Sequence, residues 1–268
     1  MFVDDIIVVK GVIVRLKKLL FGMIAFLFMM GNCMASENVL ESSKYYKTEK
    51  TNNGFITHEI TEKEYNNVSD VELYNAETNT EYKNMRIKLN NNKIVLTVLW
   101  KKTPKYKSYD VISISGEGVS FSLSGIKARQ CSDLNDDNTC IFYNSSSKNV
   151  KLFSNGIGIS MNLMDNVSIH YIQYVLYVAK TSSHGTIYGN YRHARKNVTL
   201  SESQNYTLNN GNINFIQSLD GYYDRMDSVT ISYLIRRKNE KVLFICNYNG
   251  YIFIRCYDGK CCNTNVSE

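Results

Sequence analysis

Proline is nearly missing from this 268-residue chain: Pro104 stands alone, where average usage of roughly 5% would give about 13. Tryptophan also occurs once, as Trp100. The shortage of proline excludes a polyproline linker, and 15 glycines without a G-x-y period exclude a collagen-like chain. No window of helical length carries an apolar stripe of period 3.6. Nor does the chain contain a G-x-S-x-G, H-E-x-x-H, Walker or dinucleotide glycine motif, so neither a cofactor nor a named reaction is expected. The charge excess is small, 31 Lys+Arg against 25 Asp+Glu, and too dispersed to predict a nucleic-acid partner. What is present is core material. With 44% hydrophobic and 12% aromatic residues, including 20 tyrosines, the chain is not a disordered one.

The N-terminus reads as a targeting segment. Arg15, Lys17 and Lys18 precede the apolar run from Leu19 to Met30, and Cys33 and Ala35 supply small residues at a cleavage site. The run is 12 residues, short of the about 20 that span a bilayer. Residues 1–35 are therefore expected to be a cleaved secretory signal, with 1–14 an extension upstream of it. An uncleaved anchor is the alternative. A lipid-modified Cys33 is disfavoured by Asn32, which stands where a lipobox has Gly or Ala. The mature chain then has a net charge of about +4, no membrane span, and a secreted or surface location.

Cysteine usage agrees with export. Cys131, Cys140, Cys246, Cys256, Cys261 and Cys262 form an even set. Cys131 and Cys140 close a short polar loop and are expected to pair, while the pairing of the last four cannot be read. A zinc cluster is the weaker reading, since no histidine lies in the tail.

Organisation follows composition. Residues 36–84 are polar and read as a poorly ordered arm. Alternation begins at Met85-Ile87-Leu89, turns at Asn90–Asn92, and resumes at Ile94-Leu96-Val98-Trp100, a hairpin signature. Period-two segments recur at 110–115, 119–123, 157–163, 172–178, 212–219 and 228–235, separated by Gly, Asn, Asp and Ser. The expected fold is all-β, an antiparallel β-sandwich of jelly-roll or similar type over 85–237. A cysteine-rich hairpin or tail covers 238–268.

Chemistry-bearing residues are few. Asp133, Asn135 and Asp137 match the first oxygen positions of a calcium loop, but Asn138 replaces its glycine and Asn144 its glutamate. A solvated turn is the preferred reading there, and metal is not expected. Among the histidines, His58 lies in the arm and His170 among strand residues. His184 and His193 flank a segment that would let them meet across a turn, and their clustering with Asp224 would favour an enzyme. Tyr171, Tyr174, Tyr177, Tyr188, Tyr191, Tyr222 and Tyr223 lie among amides, the combination that stacks on and hydrogen-bonds sugars. Tyr171, Tyr188 and Tyr191, with His193 and Trp100, are the candidate ligand-binding residues, although ordinary strand propensity is the favoured explanation of the tyrosines. Six N-x-S/T sequons stand at Asn67, Asn144, Asn166, Asn197, Asn205 and Asn265.

Trp100-Lys101-Lys102-Thr103-Pro104 with Ser108-Tyr109-Asp110, and Tyr188-Gly189-Asn190-Tyr191-Arg192-His193-Ala194, resemble a group of uncharacterised secreted proteins of Gram-positive bacteria. The similarity runs over roughly 94–235 and leaves out the cysteine-rich tail. It implies export and a β-rich domain, and carries over no catalytic residue. The leading expectation is a non-enzymatic module binding a glycan or a surface protein. A secreted hydrolase and a structural envelope component are the alternatives.

Overall fold

A computed structural model describes residues 39–52, 54–69, 80–133, 135–165, 171–209 and 211–234, and the backbone of 244–248 and 251–255. The signal segment, His170, the sequons at Asn166 and Asn265, and the pairing of Cys246, Cys256, Cys261 and Cys262 lie outside the described residues.

The strands in chain order are β1 (Leu40–Thr51), β2 (Gly54–Ile60), β3 (Glu81–Asn90), β4 (Lys93–Trp100), β5 (Tyr109–Glu117), β6 (Val119–Phe121), β7 (Lys127–Cys131) and β8 (Cys140–Asn144). Then follow β9 (Val150–Phe153), β10 (Gly156–Asn162), β11 (Tyr171–Lys180), β12 (His184–Arg192), β13 (Tyr206–Asn209), β14 (Asn212–Phe215), β15 (Val229–Leu234), β16 (Phe244–Tyr248) and β17 (Tyr251–Arg255). Single-turn helices occupy Glu62–Asn66, Leu200–Ser203 and Gln217–Asp220. The first two begin at capping boxes, Thr61 with Glu64 and Thr199 with Glu202.

Two antiparallel sheets make a β-sandwich. The larger runs β2-β1-β3-β4-β11-β7-β8, with β6 pairing the far end of β11, and the smaller runs β15-β12-β5-β10-β9. Alternation decides which side chains meet between them. Met85, Ile87 and Leu89 of β3, and Ile94, Leu96 and Val98 of β4, face Ile112 and Ile114 of β5 and Ile157 and Ile159 of β10 in one buried cluster. The asparagine turn between β3 and β4 is present, with Asn91 in the left-handed region at φ 55°. The β16–β17 pair forms the hairpin expected in the tail.

The outer face of the smaller sheet is not left to solvent. The β13–β14 hairpin and its flanking turns form a second apolar cluster with Val111 of β5, including Val198, Tyr206, Phe215, Leu219 and Tyr223. Asn190 of β12 donates to the carbonyl of Gly211 at 2.8 Å, and Asn155 donates to that of Leu208 at 3.1 Å. Tyr206 crosses Gly158, where a Cβ would stand 2.0 Å from the phenol oxygen. Covered on both faces, β5 and β10 are buried almost throughout.

One expectation is corrected. The described part of 36–84 is not a poorly ordered arm, because β1 pairs β2 and β3 inside the larger sheet. Its inward positions Tyr46 and Thr48 are 1% and 0% exposed. Cys131 and Cys140 face each other in register on β7 and β8 and form the expected disulfide.

Candidate functional site

At one end of the sandwich the inward rows stop being apolar. Extending the β3 row Leu89-Ile87-Met85 backwards gives Lys83 and Glu81, and the β5 row Ile114-Ile112 leads back to Asp110. On β4 the row ends at Trp100, and on β12 it passes Tyr191 and continues to His193. Arg192, Arg195 and Asp224 complete the set. All eight charged or ionisable side chains are at most 8% exposed.

Two carboxylates organise the cluster. Asp110 accepts the backbone N–H of Ala194 at 2.8 Å, His193 Nδ1 at 2.9 Å, and the hydroxyl of Tyr191. Asp224 accepts the backbone N–H of His193 at 2.8 Å through Oδ1. Its Oδ2 takes Arg195 at 3.1 Å and the ammonium of Lys83. Arg195 also bridges to Glu81, and Arg192 donates to the Asp224 carbonyl at 3.0 Å. The Lys83 Nζ lies 4.5 Å from the centroid of the Trp100 ring, and that ring meets His193 edge-on at 4.7 Å and Tyr191 at 6.1 Å.

Three carboxylates therefore balance Lys83, Arg192 and Arg195 before His193 is counted. Burial alone would raise the Asp224 carboxyl, but Lys83, Arg195 and His193 hold it well below the usual range. Glu81 is likewise lowered against its burial, by His193, Arg195 and Lys83. Burial pushes the Lys83 amine down, opposed by Asp224, and pushes the Tyr191 phenol up, reinforced by Asp110.

The candidate ligand-binding residues thus divide. Trp100, Tyr191 and His193 come together, but in the interior, at 1%, 1% and 0% exposure. Tyr188 is half-buried beneath the β13–β14 hairpin, where a Cβ on Gly211 would touch its ring at 2.6 Å. Tyr174 and Tyr223 belong to the two cores, and Tyr222 packs beside Lys196. His184 and His193 do not meet across a turn. His184 opens strand β12 and His193 follows its last residue, so the whole strand, roughly 26 Å at about 3.3 Å per residue, separates them. Asp224 does join His193, as the clustering idea required, but His184 does not. Sequence reasoning missed Lys83, Glu81 and Asp110. The available signal was a charge at the core-facing parity of an otherwise apolar row.

Tyr171 stands elsewhere, on the outer face of the larger sheet. Register places Phe142, Arg129, Gln173, Thr97 and Arg86 in one row across β8, β7, β11, β4 and β3. Arg129 Nε donates to Gln173 at 3.2 Å, and the Gln173 amide donates to the Tyr171 hydroxyl at 3.1 Å. Phe142 is 59% and Tyr177 38% exposed. Asp137 of the calcium-like segment pairs with Arg129, and Asp133 accepts the N–H of Asn135 at 2.8 Å within its own turn. A cavity of about 320 Å³ beside the Glu62–Asn66 turn is lined by Lys47, Ile60, Glu64, Asn67, Val68 and Tyr82. Its one carboxylate, Glu64, is taken up by the Thr61 backbone N–H at 2.7 Å and hydroxyl at 2.8 Å.

No protein-family model and no curated protein matches the chain. Among solved structures, the collagen-binding domain from a Staphylococcus aureus adhesin is 10% identical, covering 54% of this chain and 89% of that one with a TM-score of 0.28. A structure described as complete manganese lipoxygenase of Gaeumannomyces graminis with partial zonadhesin of Komagataella pastoris is 9% identical, covering 59% and 77% with a TM-score of 0.29. Likeness at this level carries no functional information. Among the described residues, no helix is long and apolar enough to cross a membrane.

Proposed function

We propose that the protein is an exported binding module that holds a surface glycan on the outer face of its larger sheet. The observation that carries this reading is the asymmetry of the two sheets. The smaller is covered on both sides, whereas among the described residues the larger presents Tyr171, Gln173, Arg129, Tyr177 and Phe142 outward. Aromatic faces beside a fixed amide suit the apolar faces and hydroxyls of a sugar. The Arg129–Gln173–Tyr171 chain holds the amide and phenol in place before any ligand arrives, which lowers the ordering cost of binding. The Cys131–Cys140 disulfide suits an oxidising compartment and supports export.

The hydrolase alternative has one feature in its favour, the imidazole of His193 oriented by Asp110. Against it, the ring is 0% exposed and its Nε2 faces no partner among the described residues. Glycan arrays and cell-wall preparations test the binding reading directly. Wild-type binding that falls at least about tenfold in Tyr171→Ala and Gln173→Ala, roughly 1.4 kcal/mol, supports it. No retention on any glycan or cell wall, or retention indifferent to both changes, overturns it. Capture of a surface protein by the same face would replace glycan with protein as the ligand.

A further inference from the structure

We propose that Lys83 and Asp224 condense into an intramolecular amide, tying β3 covalently to the segment that precedes β15. The binding face makes no use of this pair. Lys83 is 0% and Asp224 4% exposed, the ammonium is bonded to Oδ2, and the partners lie 141 residues apart in sequence. Water has been removed and the reacting groups are held together, the two conditions that most favour an otherwise slow condensation.

The surroundings supply the remaining parts. Burial lowers the basicity of Lys83, and a desolvated lysine is a nucleophile once neutral. A proton passes from Nζ to the Asp224 carboxyl, against the preference for the ionised form that Lys83, Arg195 and His193 impose, and the freed lone pair attacks Cγ. The backbone N–H of His193, 2.8 Å from Oδ1, stabilises the charge that develops there, and Oδ1 remains as the amide carbonyl. Oδ2 departs as water, taking its second proton from the attacking nitrogen. Glu81, two residues from Lys83 on the same face of β3, is placed to relay that proton. Overall one C–N bond forms, one C–O bond breaks, and an ammonium and a carboxylate become an amide and water. No oxidant or co-reactant is needed. Arg195, released from Oδ2, keeps its bond to Glu81.

Mass spectrometry of the reduced, unfolded full-length protein decides the matter. The expected wild-type mass is short by one water, and a digest yields a branched peptide joining the segments around Lys83 and Asp224, with no tryptic cut after Lys83. Lys83→Ala and Asp224→Ala restore the full mass, and Glu81→Gln accumulates the unlinked form. A wild-type protein at full mass and cut after Lys83 overturns the proposal without requiring any variant to fold. So does a water loss confined to a linear peptide, as a cyclised aspartate would give. Linkage at an unchanged rate in Glu81→Gln removes the glutamate from the mechanism.

Discussion

Three donors converge on Asp110, and each removes part of the cost of a carboxylate in a dry interior: the Tyr191 hydroxyl, His193 Nδ1 and the Ala194 N–H. Tyr191→Phe deletes one of them without changing the ring that Trp100 packs against. It is expected to destabilise the fold by about 1–3 kcal/mol in urea titration, and an unchanged midpoint would show that Asp110 does not depend on the phenol. Glu81 ties the same region to pH. A carboxylate whose folded pKa is depressed contributes stability above its unfolded pKa and loses it as pH falls through the folded one. Glu81 starts from an ordinary value of 4.5 and is lowered in the fold. Unfolding free energy should therefore hold steady above that value and decline below it, with a shallower acid decline in Glu81→Gln. Equal declines in the two proteins would remove Glu81 as the source. At this scale the sequence was partly legible. Trp100, Tyr191 and His193 stood out by type, but their burial could not be seen, because a tyrosine in a strand reads the same on either face.

The elements themselves were more readable, and their failures have a physical cause. Segments such as Ile94-Leu96-Val98 declare a strand because one face must be apolar to reach the core. β1 declares nothing, since its inward row is Leu40, Ser42, Lys44, Tyr46 and Thr48, and its order comes from backbone pairing on both sides. The layer over the smaller sheet was also invisible, because β5 and β10 carry serines outward that read as solvent-facing until a hairpin covers them. Gly158 reports on that layer. Gly158→Ala would push a methyl into Tyr206 and is expected to cost about 1–3 kcal/mol, the usual penalty of overpacking. Tyr206→Phe should return part of the loss in a double-mutant cycle, and strict additivity would place the strain elsewhere. The Cys131–Cys140 bridge pins an edge of the larger sheet across a separation of only nine residues. Replacing both cysteines by serine should lower stability by roughly 2–3 kcal/mol, a typical loss for a short loop, as read by thermal unfolding.

For the molecule as a whole, the order of the strands in space is far from their order in the chain. β11 enters between β4 and β7, so the larger sheet is incomplete until residue 180, and β15 closes the smaller sheet later still. Such non-local pairing is slow to form. Asp224 lies in the last connection before β15, so the counter-charge for Lys83 is among the last groups to arrive. A chain emerging N-terminus first must keep that lysine hydrated, and the end of the sandwich open, until almost the entire domain has been delivered. Truncated or stalled chains would stay ajar at this end and fall to proteases, while finished ones shut. The ion cluster therefore closes only after nearly all of the described sandwich has been synthesised, which leaves partial chains without it.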